Sequence, residues 1–415
     1  MKLNKISAAC GLAVAVLSAQ AFAHGPAVTP DLQVFISGAS AQQLTLGKIV
    51  EGMMTAGTID VFYDTNSSGK DYRAYFGTVN GTGTSLDGKK VLIHNRAKGG
   101  SVWGVNPVAR AQAISRMAVD GTAGNCAAVA NAVFPAATYK CANTVNAVPD
   151  AGVSDVEPGL FSGINVANGD SELTDAERAK LTVASQNAVI MGIAVTKNMP
   201  LASLSRAQIT SMLTGAYQDW SQVDASLSGP IIVERRVNGS GTQAGANAYF
   251  LGYPCSTGKL APATASNSVA GGYTVVENSG SGDVKAALNA LPATKMAIGI
   301  LSTESVSTTS DNWKHIPIDG VEPSIANAAN GKYDYFVEQT IQYRNATVNG
   351  VAAPSGNMAV FLADFITRSG NPDILSTLKG VSALPTNYDP TAYPAGQVMK
   401  GTKLNNTCQP TQLFY

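Results

Sequence analysis

A chain of 415 residues is long enough for two domains with cores of their own, and its 28 basic and 28 acidic residues cancel to a formal net charge of zero. Charged residues supply only 13% of the chain while glycines number 41, which excludes the basic field needed for non-specific nucleic-acid binding and suits an exported protein with long polar loops. No stretch beyond the first two dozen residues is apolar enough to predict a membrane span.

Lys2 and Lys5, the apolar run at 8–17 and the small-x-small triplet Ala21-Phe22-Ala23 form a secretory signal peptide. Residues 1–23 are expected to be cleaved, with the mature chain starting at His24 in the periplasm or outside the cell. Cys10 does not predict a lipid anchor, because Ser7-Ala8-Ala9 before it lacks the usual leucine. Four cysteines remain: Cys126, Cys141, Cys255 and Cys408. They allow three pairings. The favoured one joins Cys126 to Cys141, closing a short local loop, and Cys255 to Cys408, tying the C-terminal tail to the middle of the chain. A zinc site is not expected, because no CxxC pair occurs and the chain has only 3 histidines.

Strand and helix patterns alternate along the chain. Residues 32–36 read as a strand ending in Ser37-Gly38-Ala39-Ser40, and 41–54 as a helix. Strands follow at 58–63 and 90–94. The second runs into Gly99-Gly100-Ser101 and a helix through Ala109 and Ile114, and 119–150 reads as a loop. Residues 188–195 form a strongly apolar strand, and Ser205 caps a helix at 206–213. The strand at 230–236 enters Asn238-Gly239-Ser240-Gly241-Thr242 and a helix at 243–251. Ser279-Gly280-Ser281-Gly282-Asp283 opens a helix at 284–291. A buried strand at 296–301, a strand at 335–343 and a helix at 358–368 complete the series.

This order predicts an α/β fold with sheets flanked by helices. The late return of strand and helix predicts two lobes, the first discontinuous. Lobe 1 is expected to comprise 24–190 plus 339–415, with an insertion around 55–150, and lobe 2 to comprise 191–338. Crossings near 190 and 338 would form a two-strand hinge.

Three segments share the form strand, small residues, helix: Ser37-Gly38-Ala39-Ser40, Gly99-Gly100-Ser101, and 238–242. Helix starts carry unpaired N–H groups and the positive end of the dipole, and small residues let an anion approach them. Arg236, just before the third segment, offers a planar fork for two oxygens of a tetrahedral anion. Arg235 is expected at the surface. Ser240 is not read as a nucleophile, because the G-x-S-x-G elbow needs glycine where Asn238 stands. No enzyme activity, cofactor or metal is expected.

The segment Val233-Glu234-Arg235-Arg236-Val237-Asn238-Gly239-Ser240-Gly241-Thr242 resembles the anion-binding segment of the periplasmic phosphate-binding proteins of ABC transporters, which reads Arg-x-Asp-Gly-Ser-Gly-Thr. The stretches at 204–220, Ile36-Ser37-Gly38-Ala39-Ser40-Ala41, Gly152-Val153-Ser154-Asp155 and Ala297-Ile298-Gly299-Ile300 resemble further segments of that family, in the same order. The resemblance implies the two-lobed periplasmic-binding-protein fold and a monomer that delivers phosphate, or a similar oxyanion, to a membrane permease. It implies that Arg236 pairs with the anion, that Ser240, Gly241 and Thr242 donate to it, and that Ala39, Ser40 and Ala41 lend backbone donors. Ser101 would be a further ligand. Asp155 would accept from a protonated oxygen, favouring hydrogen phosphate or arsenate over sulfate. Asn238 stands where the family has Asp, and Gln42 where it has Thr. Those departures and the 55–150 insertion motivate an alternative, a secreted or surface interaction protein on the same scaffold.

Overall fold

The computed structural model describes residues 24–132, 134–266 and 272–414, without the side chain of Gln42; the expected signal peptide lies outside them. Among the described residues, fourteen strands share one sheet. The first part contains β1 (Leu32–Gly38), β2 (Asp60–Asp64), β3 (Tyr72–Thr78), β4 (Lys90–Arg96), β5 (Cys126–Ala128), β6 (Tyr139–Cys141) and β7 (Ala151–Ser154). A 16-residue strand, β8 (Leu181–Thr196), leads into β9 (Ile232–Arg236), β10 (Thr274–Asn278), β11 (Ala297–Ser302) and β12 (Trp313–Ile316). The chain then returns through β13 (Phe336–Arg344) and β14 (Val381–Ala383).

Pairing divides the sheet into two lobes. Residues 181–190 of β8 run antiparallel to β13, whereas 191–195 pair with β11 instead. The partner change falls in the all-apolar stretch Ala188–Val195, buried throughout, as expected for a strand covered on both faces. In one lobe β1 lies parallel to β4 and β7; in the other β9 lies parallel to β10 and β11. Their carboxyl ends are where ligands sit in open α/β sheets.

The helices that follow these strands are α1 (Gln43–Met53), α2 (Arg206–Thr214), α3 (Gly241–Leu251), α4 (Ser281–Ala290) and α5 (Gly356–Ser369). Ser205 caps α2 by accepting from the Gln208 amide, and Gln208 returns the bond in a capping box. Gly215, at φ 76°, ends α2 in the left-handed region. Helices α1 and α5 cover one face of the first lobe, where Leu46, Ile49, Phe361 and Phe365 meet Val34, Ile36 and Ile93.

Two expectations are corrected. The helix near residue 109 spans only Asn106–Arg110, ended by Ala111 in the left-handed region, and Ile114 begins a strand. The expected loop at 119–150 contains β5, β6 and a further strand, Thr144–Ala147. There Cys126 and Cys141 face each other across an antiparallel pair and are bonded, and β6 extends the sheet beside β2. The second disulfide joins Cys255 to Cys408.

Candidate functional site

The carboxyl ends of β1, β4, β7, β9 and β10 open onto one cleft; small residues follow closely after β1, β4, β9 and β10, while β7 runs into Asp155. Beyond β9 the chain turns at Gly239, with φ 88°, and enters α3 with Ser240 as its cap, accepting from the Gln243 amide. The Gly239 carbonyl accepts from the Val102 amide at 2.9 Å, which pins this turn to the turn after β4. Ser101 Oγ accepts from the Asp155 amide at 3.2 Å. Thr242 Oγ1 donates to Asp155 Oδ2 at 3.0 Å. A Cβ on Gly241 would lie 2.5 Å from Ser101 Oγ and 2.8 Å from the Asp155 Cβ, so only glycine permits this approach. A Cβ on Gly100 would lie 3.0 Å from the Ser240 Cα and 3.4 Å from Arg236 Nη2, so Ser101, Asp155, Arg236, Ser240, Gly241 and Thr242 are neighbours, and each is buried.

Arg236 is 1% exposed. Its Nε donates to the Asn278 carbonyl at 3.3 Å, Nη1 to Ser281 Oγ at 3.2 Å and Nη2 to the Ser279 carbonyl at 2.7 Å. All three acceptors are neutral. Among the described residues no carboxylate forms an ion pair with it. Burial pushes its pKa down to about 10, against the opposing charges of Asp155 and Asp283. Asn238, which stands where the resembled family has an acid, turns towards Asn168 Oδ1 at 3.5 Å. Arg235, expected at the surface, is buried against Glu277 at 2.7 Å.

The opening segment is placed differently from the others. The Ala39 amide is already donated to the Val153 carbonyl at 2.9 Å, so it is not free for a ligand. Ser40 and Ala41 lie in the 3-10 turn that precedes α1 and line a cavity beside the cluster, where Ser40 Oγ is buried without a hydrogen-bond partner.

Three residues were not assigned roles from sequence. Ser279 and Ser281 hold Arg236 from the turn after β10, a fourth strand–small–helix segment with the same signal as the other three. Glu304, just beyond the carboxyl end of β11, is 8% exposed and accepts from Thr45 Oγ1 of α1 at 2.5 Å, a bond between the lobes. Burial pushes its carboxyl up to about 8; the Thr45 bond and Lys285 oppose this and the charge of Asp155 adds to it. Its position at a strand end is the signal that would have found it.

A family model described as a PBP superfamily domain matches residues 126–368. The search of curated proteins finds no match. Among solved structures the chain is similar to a Clostridium perfringens protein described as a phosphate ABC transporter substrate-binding protein, with bound phosphate: 16% identity, TM-score 0.49, covering 84% of this chain and 99% of that one. It is also similar to a phosphate-binding protein from Stenotrophomonas maltophilia, at 13% identity and TM-score 0.47, covering 84% and 90%. An ABC-type phosphate transport receptor from Vibrio cholerae matches at 15% identity and TM-score 0.43, covering 83% and 97%.

Proposed function

This chain belongs to the PBP superfamily, and from that premise we propose that it is a solute-binding protein that encloses phosphate, or a closely similar protonated oxyanion, between its lobes. The observation that carries the reading is the buried Arg236 guanidinium, held only by neutral acceptors beside Ser101, Asp155 and Thr242. A buried cation without an ionic partner is costly, and a bound anion offsets that cost. The guanidinium fork takes two oxygens, while the hydroxyls of Ser101 and Ser240 and the amides that open α3 take others, and the Thr242 hydroxyl, donated to Asp155, holds that carboxylate in place. Asp155 sets the choice among anions. A carboxylate facing the ligand needs a proton between them, which hydrogen phosphate brings and sulfate does not.

Residues 24–190 with 339–415 and residues 191–338 would act as the two closing bodies, hinged where β8 and β13 cross. Capture without chemistry in the periplasm, followed by delivery to an ABC-transporter permease, completes the reading. Titration calorimetry on protein freed of bound anion tests it. Phosphate is expected to bind at micromolar or lower concentration with sulfate at least about a hundredfold weaker. No phosphate heat at millimolar concentration would overturn the reading.

A further inference from the structure

A cavity of about 310 Å³ opens directly beside this cluster, at the small end of ligand sites. Ser281 links this cavity to Arg236, its Oγ accepting from the guanidinium at 3.2 Å, and Ser40 also lines it. Lys70, Arg73, Lys285 and Glu304 contribute to the remaining lining. The lining has more donors than acceptors. Lys70 is tied to Asp283 at 3.1 Å, and Arg73 Nε to the Gly69 carbonyl at 2.8 Å. Lys285 has neither a hydrogen bond nor an ion pair among the described residues, and burial pushes its pKa down. Ser40 Oγ is likewise unpartnered. The Glu304 carboxyl, its pKa raised to about 8, does not neutralise these cations at neutral pH.

Charges that only steer a ligand to a cleft act at long range, and salt weakens them. A partly buried ammonium without an acceptor is a different case, because its desolvation is offset only when an anion occupies the space beside it. An apolar group there would leave Lys285 and Ser40 unsatisfied.

We propose that this cavity is a second anion subsite, and that the preferred ligand is a condensed phosphate with one phosphoryl group against Arg236 and the next among Lys285, Arg73 and Lys70. The inference rests on the phosphate reading of the Arg236 site. Calorimetry of the full mature chain with orthophosphate and with pyrophosphate tests it. Pyrophosphate is expected to bind at least about tenfold more tightly, since it adds charge-assisted bonds. Lys285→Ala should remove most of that preference while changing orthophosphate affinity by less than about threefold, and Lys285→Arg should retain it. Equal or weaker pyrophosphate binding by the unaltered protein overturns the second subsite alone. So does a Lys285→Ala variant that weakens both ligands equally, which is the signature of steering. Failure of both ligands to bind overturns the reading of the Arg236 site, and the second subsite falls with it.

Discussion

Arg236 is held by the Asn278 and Ser279 carbonyls and by Ser281 Oγ, and these bonds fix its fork in the cleft. Removing the side chain deletes the cation and leaves those acceptors unpaired in a buried place. Arg236→Ala should therefore weaken phosphate at least about tenfold, and unchanged affinity in calorimetry would place the guanidinium outside the site. Asp155 acts in the opposite sense. Asp155→Asn replaces an acceptor-only group with one that also donates, so sulfate should gain relative to phosphate by about tenfold or more; competition titrations read that ratio directly. Gly241→Ala puts a methyl where 2.5 Å separates it from Ser101 Oγ, prying the α3 turn from Ser101 and Asp155. A loss of about 1–3 kcal/mol in denaturant unfolding is expected, together with weaker phosphate binding.

At the scale of elements, the C-terminal tail is a strap laid across the crossing strand. Thr402 Oγ1 and the Lys403 amide both donate to Glu338 Oε1 of β13 at 2.6 Å, and the Asn405 amide donates to Oε2 at 2.7 Å. Lys403 Nζ donates to the Phe336 carbonyl at 2.8 Å, in an environment that pushes its pKa down to about 8 through burial. Further on, Thr407 Oγ1 donates to Glu157 at 2.6 Å, and Cys408 is bonded to Cys255 just past α3. The strap thus joins β13, the segment after Asp155 and the end of α3. Its disulfide closes a span of 153 residues, for which loop entropy gives about 5 kcal/mol. The Cys126–Cys141 bond spans 15 residues and is worth about 3 kcal/mol by the same argument. Replacing Cys255 and Cys408 together by serine should lower the unfolding midpoint more than replacing Cys126 and Cys141. Equal losses would show that strain or residual structure in the unfolded chain outweighs loop length.

For the whole molecule, the two lobes meet through polar contacts whose charge states depend on pH. Glu304, bonded to Thr45 across the cleft, has a folded pKa of about 8 against an ordinary 4.5. The folded state keeps a proton that the unfolded state gives up, so this group's contribution to stability falls as pH rises from about 4.5 to 8. Glu304→Gln should flatten that slope, and at pH 8.5 the variant should be the more stable protein by at least about 1 kcal/mol. Parallel pH curves for the two proteins would contradict the assignment. If the lobes close on the anion, saturating phosphate should also reduce the radius of gyration in solution scattering and raise stability by about 2.7 kcal/mol at a hundred times Kd.

Local chemistry determined much of this in advance. The alternation of strands with helices, the apolar crossing strand around 188–195, the Ser205 cap and the run 238–242 all announce themselves through neighbours a few residues apart, and α/β class follows from them. The cysteine pairing was legible too, because one pair was close in sequence and the other could tie a loose tail. Only tertiary structure decided what meets in the cleft. Asp155 and Thr242 are bonded, although 87 positions separate them. Glu304 reaches Thr45 over 259 positions. It also decided that the Ala39 amide goes to Val153, that the Asn238 amide goes to Asn168, and that β5 and β6 extend the sheet from a stretch that read as loop. Propensity and spacing act over a few residues, whereas the burial that raises the Glu304 pKa and leaves Arg236 without an ionic partner is a property of packed surfaces from distant parts of the chain.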